Sequence, residues 1–202
     1  MPDESLTPLE SLAVTLYDIG AVQFGKFKLH SGKKSRVYLD LRVLVSFPEA
    51  LRQVASAYRT VLEWLDFDVI AATPLAGLPI GTAIALDMNR PLIYPRKTAK
   101  SYGTGKAIEG MYTIGDTAAV VDDLVTSGDS ILQMIAALKA GGLPATDAVV
   151  LIDREQGGVE NLHAEGYRLH AIMSLSYLLS VLLEQERISE KKYNKAVKSL
   201  RK

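Results

Sequence analysis

Two adjacent carboxylates, Asp122 and Asp123, precede a turn rich in hydroxyl groups and form the part of the chain best suited to chemistry. They follow the apolar run 118–121, which is typical of a strand buried on both faces. Apolar residues then recur at helical spacing from Ile131 to Leu138. The pattern therefore predicts a strand that ends at the two carboxylates, a polar turn and an amphipathic helix.

The turn from Thr126 to Ser130 predicts a phosphate-binding loop. It presents backbone N–H groups and hydroxyls at the positive end of a helix, where a phosphate monoester can be held without a lysine. The preceding pair of carboxylates can accept hydrogen bonds from the cis hydroxyls of a ribose, so a sugar phosphate is the favoured ligand. The alternative is a turn that only caps the helix. The chain contains neither the Gly-Lys-Ser/Thr of a P-loop nor a GxGxxG dinucleotide motif.

Composition limits the classes of function. The 202 residues are 48% hydrophobic, which suffices for one well-buried domain with a small appendage. Acidic and basic residues number 23 each, so we expect no nucleic-acid and no membrane partner. The absence of cysteine excludes disulfides, thiolate zinc sites and a cysteine nucleophile. With no secretory signal in the acidic N-terminal segment, we expect a cytoplasmic location.

The other elements are predicted from hydrophobic periodicity. A helix is predicted over 6–19, with Thr7-Pro8 as its start signal. A β-hairpin or a pair of short strands comes next, with a turn at 30–34, and a long helix begins at Pro48. From Asp68 onward, strands (69–73, 92–94, 118–121, 148–152 and 169–173) alternate with helices (77–86, 131–138 and 159–164). This alternation predicts an α/β fold with a parallel sheet flanked by helices and a small N-terminal hood. We expect a single domain over 1–202, made of the hood (1–47), the α/β core (48–173) and C-terminal helices (174–202).

Ligands bind at the carboxyl ends of the strands in such sheets. The segments 74–77, 96–97, 122–130 and 153–158 should therefore border one cleft. The polar stretch 94–112 carries four cations and three glycines, and it predicts a lid that brings positive charge to the cleft. The alternative is an ordinary surface loop. The basic tail 191–202 predicts a solvated final helix, with nucleic-acid binding as its alternative.

Five motifs, in order, resemble those of the orotate phosphoribosyltransferases. VVDDLVTSGDS resembles the motif by which type I phosphoribosyltransferases bind phosphoribosyl diphosphate (PRPP), and RKTAKSYG resembles the catalytic loop of the orotate enzymes. FGKFKLHSGKKSRVYLDLR, PLAGLPIGTA and LIDREQGG complete the series, which is most similar to the transferase half of bifunctional UMP synthases. The resemblance implies the type I fold. It also implies transfer of the 5-phosphoribosyl group from PRPP to orotate, giving orotidine 5′-phosphate and diphosphate in pyrimidine biosynthesis.

The resemblance also implies roles for individual residues. Lys100, Arg96 and Asp123 would be catalytic. The residues that would bind PRPP are Arg96, Lys97, Lys100, Tyr102, Asp122, Asp123, Leu124, Val125, Thr126, Ser127, Gly128, Asp129 and Ser130. Those that would bind orotate are Tyr38, Leu39, Thr126 and Arg154, with Arg154 pairing with the carboxylate of the base.

The cofactor and partners follow from the same resemblance. Mg²⁺ would arrive on the PRPP oxygens, without a direct protein ligand. A homodimer would share the lid across subunits, and association with orotidine 5′-phosphate decarboxylase is expected. Three residues depart from common family choices: His30 and Ala76 replace lysines, and Tyr102 replaces a histidine. These substitutions bear on PRPP affinity.

Two alternatives stay open. A transferase for a purine would not need Arg154, because a purine lacks the carboxylate that this arginine would bind. A catalytically silent regulator that senses PRPP and binds RNA or DNA is supported by the basic tail alone.

Overall fold

The computed structural model describes residues 6–28, 34–96 and 107–200. The chain divides into two compact units, one made of residues 1–53 and 173–202 and the other of residues 54–172. We call them the hairpin unit and the sheet unit. No helix among the described residues is long and apolar enough to cross a membrane.

The hairpin unit begins with helix α1 (Pro8–Asp18), as predicted. A capping box starts it: the Glu10 N–H donates to Thr7 Oγ1 at 3.3 Å, and the Thr7 N–H donates to Glu10 Oε2 at 2.7 Å. Strands β1 (Val22–Lys28) and β2 (Lys34–Leu39) then pair antiparallel, with a bulge between Phe24 and Phe27. The predicted hairpin is therefore confirmed for the described residues.

Four further helical segments lie wholly or partly in the hairpin unit. A 3-10 helix (Leu41–Ser46) that the sequence pattern did not predict precedes helix α2 (Pro48–Leu62), which continues into the sheet unit. Helix α6 (Leu175–Glu184) is capped by Ser174, and the basic tail forms helix α7 (Glu190–Leu200). Helix α6 packs against α1, and α7 packs against β2 and α6.

The sheet unit contains a six-stranded sheet. Its elements are β3 (Val69–Ala72), α3 (Gly77–Met88), β4 (Leu92–Pro95), β5 (Ile108–Glu109), β6 (Ala118–Val125), α4 (Asp129–Ala140), β7 (Asp147–Asp153), α5 (Gly158–Ala164) and β8 (Arg168–Ser174). The strand order is β5-β4-β3-β6-β7-β8, and β4, β3, β6 and β7 run parallel. The predicted parallel sheet flanked by helices is confirmed.

The sheet differs from the predicted one at two strands. Strand β6 does not end before the carboxylates but continues through both of them to Val125, because it stays paired with β7 as far as Val125 and Asp153. Strand β5 lies inside the stretch predicted as a lid and pairs antiparallel with β4, with Tyr94 opposite Glu109. Within the described parts of that stretch, residues 94–95 and 108–109 are therefore strand residues.

Candidate active site

The acidic pair lies near the carboxyl end of the central strand β6. Asp122 is 5% exposed, and Asp123 is more open to solvent. The Asp122 carboxylate accepts hydrogen bonds from the Asp123 N–H at 2.9 Å and from Ser130 Oγ at 3.2 Å. Burial raises the pKa of Asp122 well above its ordinary value, and the neighbouring Asp123 charge raises it further. The protein thus holds a carboxylate whose ionised form is costly, as is common at functional sites.

A buried tyrosine supports the acidic pair. Tyr58 of α2 is fully buried, and its hydroxyl donates to the backbone carbonyl of Asp122 at 2.6 Å. Burial raises the pKa of Tyr58 well above its ordinary value, with the charges of Asp123 and Asp122 adding to the effect, so the phenol stays a donor. Tyr58 lies on the buried face of α2 with Val54 and Leu62. The signal for a second role was a polar hydroxyl on an otherwise apolar helix face.

The predicted phosphate loop lies between β6 and α4. Gly128 precedes the helix with φ +90°, in the left-handed region that favours glycine. The Ser127 hydroxyl donates to Asp129 at 2.6 Å, and the side-chain amide of Asn161 donates to the Ser127 carbonyl at 2.9 Å. The loop is thus held from both sides, and the first N–H groups of α4 point out of the helix towards any bound anion.

The segment after β7 is packed directly against this loop. The Arg154 N–H donates to the Val125 carbonyl at 3.0 Å. A Cβ on Gly158 would lie 2.5 Å from Val125 Cγ2 and 2.8 Å from the Thr126 carbonyl oxygen, so a side chain there would push α5 away from the loop. Arg154 is 3% exposed, and its Nε and Nη2 atoms are buried. The structure therefore brings Arg154 beside the phosphate loop as a buried cation.

The turn between β3 and α3 also contacts the acidic strand end. The Thr73 N–H donates to the Val121 carbonyl at 2.9 Å. A Cβ on Gly77 would lie 3.4 Å from the Cα of Asp122, which shows how closely the start of α3 approaches. The peptide bond between Pro74 and Leu75 in this turn is cis. Ala76, noted above as a departure from common family choices, lies at the N-cap of α3.

Arg96 lines a cavity of about 450 Å³ with residues of the β3–α3 turn, including Leu75. Its guanidinium pairs with the carboxylate of Glu109, the strand partner of Tyr94, so this cation already has a counter-ion. The pattern of the sequence gave no sign of Glu109, because the pair depends on β5 folding back beside β4.

The described residues thus join the four segments that were expected to border one cleft. The β3–α3 turn contacts β6 at Asp122 and shares a cavity with Arg96, while the segment after β7 packs on the phosphate loop. These contacts link the segments in pairs, and the single cleft that all four would border stays a prediction.

Tyr38 and Leu39 belong to the hairpin unit. The Tyr38 hydroxyl accepts a hydrogen bond from Arg42 at 3.0 Å, and its ring lies 5.3 Å from that of Phe27 between centroids. Leu39 is 5% exposed and ends strand β2. Four other residues named from the sequence, His30, Lys97, Lys100 and Tyr102, lie outside the described residues.

Comparisons with known proteins find an orotate phosphoribosyltransferase and two longer enzymes among the relatives of this chain. An orotate phosphoribosyltransferase of Pyrobaculum aerophilum is 41% identical over 179 residues, covering 88% of this chain and 92% of the relative. The uridine 5′-monophosphate synthase of Bos taurus is 43% identical over 183 residues, and the bifunctional enzyme PyrF/PyrE of Nostoc sp. is 41% identical over 186 residues. These alignments cover 90% and 92% of this chain but only 38% and 39% of the relatives, so the chain spans about two fifths of their length. No family model matches the chain.

Solved structures give the same relationship. The UMP synthase of Leishmania donovani superposes with a TM-score of 0.88 at 41% identity, covering 95% of this chain and 42% of that one. The orotate phosphoribosyltransferase of Aeropyrum pernix gives 0.75 at 32% identity, covering 85% and 98%. The Mycobacterium tuberculosis enzyme in complex with PRPP gives 0.71 at 26% identity, covering 85% and 99%.

Proposed function

The chain belongs to the orotate phosphoribosyltransferase family, and on that premise we propose that it transfers the 5-phosphoribosyl group from PRPP to N1 of orotate. The products are orotidine 5′-phosphate and diphosphate, in the synthesis of pyrimidine nucleotides. The observation that carries the proposal is the assembly of the acidic pair, the phosphate loop and Arg154 around the end of β6.

The end of β6 binds the ribose hydroxyls of PRPP, and the loop that follows binds its 5′-phosphate. Residues 126–130 at the start of α4 receive the 5′-phosphate, because the helix terminus offers N–H donors and positive potential. Leu124 and Val125 contribute the backbone that leads into the loop. Asp123 accepts from the ribose hydroxyls, since it is more exposed than Asp122. Asp122 shares this role while Ser130 and Tyr58 hold its position.

Bond breaking leaves negative charge on the departing diphosphate and positive charge on the ribose. Arg96 stabilises the diphosphate, and to do so its guanidinium must exchange the Glu109 carboxylate for phosphate oxygens. Lys97, Lys100 and Tyr102 are assigned to the same group by resemblance alone. In the proposed complex, the Asp123 carboxylate lies beside the ribose ring, on which the positive charge develops.

Orotate is recognised by its carboxylate. Arg154 is the cation that the resemblance assigns to the base, and its backbone N–H donates to the carbonyl of Val125, the residue before Thr126 of the phosphate loop. A guanidinium buried to this degree favours an anion strongly, because solvent does not screen the pair. Tyr38 and Leu39 complete the base site by resemblance.

Mg²⁺ is the cofactor that this chemistry calls for. The Asp122 carboxylate already accepts two hydrogen bonds, so we expect it to contact the ion only indirectly. Bound to PRPP, the ion would neutralise charge on the diphosphate. Asp123 would orient the ribose hydroxyls beside it.

The partners of the chain are part of the same proposal. A homodimer in which the segment carrying Lys100 reaches the second subunit's site follows from the family resemblance. Association with orotidine 5′-phosphate decarboxylase is supported by the name of the Nostoc relative, a bifunctional enzyme of which this chain covers 39%. The cytoplasmic location stays a prediction.

The test of the proposed function is loss of orotate absorbance with PRPP and Mg²⁺, run beside adenine, hypoxanthine and uracil. PRPP-dependent consumption of orotate alone is the expected result. Turnover of another base would assign a different transferase. Binding of PRPP without turnover of any base would indicate a regulator.

A further inference from the structure

One groove of the hairpin unit is lined by seven basic side chains. A cavity of about 630 Å³ and a smaller one of about 250 Å³ share Lys26, Arg36 and Lys195, and together they form what we call the basic groove. Its cations are Lys26, Lys28, Lys34 and Arg36 from the hairpin and Lys192, Lys195 and Lys198 from α7. None of them is among the residues assigned above to PRPP or orotate.

Regular structure fixes the spacing of these cations. On β2, Lys34 and Arg36 alternate with the buried Ser35, so both project from the same face. On α7 the three lysines recur every three residues along one exposed side. The Arg36 N–H donates to Ser199 Oγ at 3.2 Å and fixes the helix to the strand. The groove is therefore built from a strand pair and a helix.

The charge of the groove is not balanced locally. Neither cavity is lined by a described aspartate or glutamate, and in the described part of the chain none of the seven cations forms an ion pair. The whole chain is neutral, with 23 acidic and 23 basic residues, so this concentration is a local departure. Clustered like charges repel and destabilise the fold. A bound anion would remove that repulsion.

We propose that the basic groove is an accessory binding site for a polyphosphate anion, of the class of inorganic tripolyphosphate or a nucleoside triphosphate. Six of the seven cations are lysines, whose compact ammonium groups bind phosphate as point charges without the planar geometry that a carboxylate favours. A cavity of about 630 Å³ is of the size that holds a small molecule. The segment 24–28 extends about 13 Å and the three lysines of α7 about 9 Å, which suits a compact ligand better than a long polymer.

Two phenylalanines of the basic groove could favour a nucleoside triphosphate over tripolyphosphate. Phe27 lines the larger cavity, and Phe24 lines the smaller one with Lys192 Nζ 5.1 Å from its ring centroid. An apolar ring beside the cations gives a nucleobase a surface to contact, which tripolyphosphate lacks. The relative affinity of the two ligands therefore reports whether the rings take part.

The test is calorimetric titration of the full chain with tripolyphosphate and with a nucleoside triphosphate, in low salt and without Mg²⁺. Binding is expected to weaken with added salt, and by about tenfold or more in the double variant Lys195→Ala/Lys198→Ala, because two charge-assisted contacts are lost. The matched control is Lys191→Ala, an exposed lysine of the same helix that does not line the groove. Lys195→Arg/Lys198→Arg keeps the charge and should retain binding.

The outcomes separate this site from the transferase site. Turnover of orotate by the double alanine variant at saturating PRPP should equal that of the wild type, because neither lysine belongs to the transferase site. Equal affinity for both ligands would show that the groove recognises the phosphate chain. Tighter binding of the nucleotide would show that the Phe24 and Phe27 rings also contact the base. The proposal fails if neither ligand binds in low salt, if Lys191→Ala weakens binding as much, or if only a single-stranded oligonucleotide or an acidic peptide binds.

Thermal melting gives a second test of binding that uses the wild type and does not depend on whether the alanine variant folds. Tripolyphosphate should raise the melting temperature of the wild type in a concentration-dependent way, because it binds the folded state and relieves repulsion there. The charge-retaining arginine variant should show the same rise. No rise in the wild type would overturn the proposal.

Discussion

Among single residues of the site, the buried carboxylate of Asp122 lowers the stability of the fold when it is ionised. Asp122 is buried beside a second carboxylate, so its pKa is raised first by burial and then by Asp123. Between the ordinary pKa of an unfolded aspartate and the raised folded value, the folded state binds more protons than the unfolded state. Stability attributable to this group therefore falls as pH rises through that interval.

Asp122→Asn should stabilise the fold at neutral pH and reduce transfer. The amide keeps the acceptor for the Asp123 N–H and removes the buried charge, so we expect a melting temperature higher by about 2–4 °C, the shift that about 1 kcal/mol gives a chain of this size. The gain should vanish below about pH 4, where both states are protonated. Melting curves at several pH values, with the exposed Asp66→Asn as control, measure it. A variant less stable than the wild type at pH 7 would contradict the assignment.

Tyr58→Phe tests whether the buried phenol positions the acidic pair. Loss of its hydrogen bond to the Asp122 carbonyl should lower stability by about 1–2 kcal/mol. It should also raise the KM for PRPP several-fold while kcat changes little, because the change displaces groups that hold ground-state substrate. Steady-state kinetics decide this, with Tyr112→Phe, at a tyrosine packed partly against the core, as the control. An unchanged KM would reduce Tyr58 to a structural residue.

Among the elements of the fold, the pairing of β4 with β5 brings Glu109 into an ion pair with Arg96. Removing the Glu109 charge with Glu109→Gln should lower the KM for PRPP by about two- to five-fold, since diphosphate no longer competes with a partly exposed ion pair. Initial rates against PRPP concentration measure the effect, and Glu49→Gln, in the exposed pair with Arg52, is the control. A higher KM would mean that Glu109 orients Arg96 for the substrate.

The edge of the sheet depends on a second charged cluster. Asp147 at the start of β7 accepts from Arg168 at 2.7 and 2.6 Å and contacts His170 Nε2 at 2.8 Å, both on β8. Burial alone would raise the pKa of Asp147, but the hydrogen bonds from Arg168, His170 and Thr146 outweigh it and hold the pKa well below its ordinary value. The stability this carboxylate contributes is present above the ordinary aspartate pKa and is lost as pH falls below it.

Arg168→Ala should therefore lower the stability of the fold at pH 7, because the buried Asp147 carboxylate loses two hydrogen bonds from its exposed partner. The difference should shrink as pH drops below about 4. Chemical denaturation at both pH values measures it. Arg52→Ala, whose ion pair is exposed, should change stability by less than about 1 kcal/mol. A difference independent of pH would show that Asp147 does not respond to Arg168.

Strands and helices of the sheet unit were largely predictable, because their apolar runs and turn residues are local signals. The extent of β6 was not, because its pairing with β7 through Asp122 and Asp123 is a long-range contact that outweighs the low strand propensity of aspartate. Strand β5 was missed for the same reason: a two-residue strand exists only because β4 lies beside it. Among site residues, Tyr58 and Glu109 act through tertiary contacts, so spacing in the sequence could not reveal them.

At the scale of the whole molecule, a neutral chain separates two kinds of charge. The sheet unit gathers carboxylates at the end of β6, while the hairpin unit gathers seven cations in the basic groove, none of which forms an ion pair within residues 6–28, 34–96 and 107–200. A net charge of zero thus concealed two local fields of opposite sign, which is why composition alone gave no indication of an anion site outside the substrate cleft.

Recognition of orotate by Arg154 can be tested with the ratio of initial rates for orotate and uracil, in the wild type and in Arg154→Ala. Uracil lacks only the carboxylate that Arg154 is proposed to bind. We expect the wild type to favour orotate by about two orders of magnitude or more, and the variant to lose most of that preference while its melting curve stays cooperative. A wild type that uses both bases equally, or a variant that retains the full preference, would contradict the account.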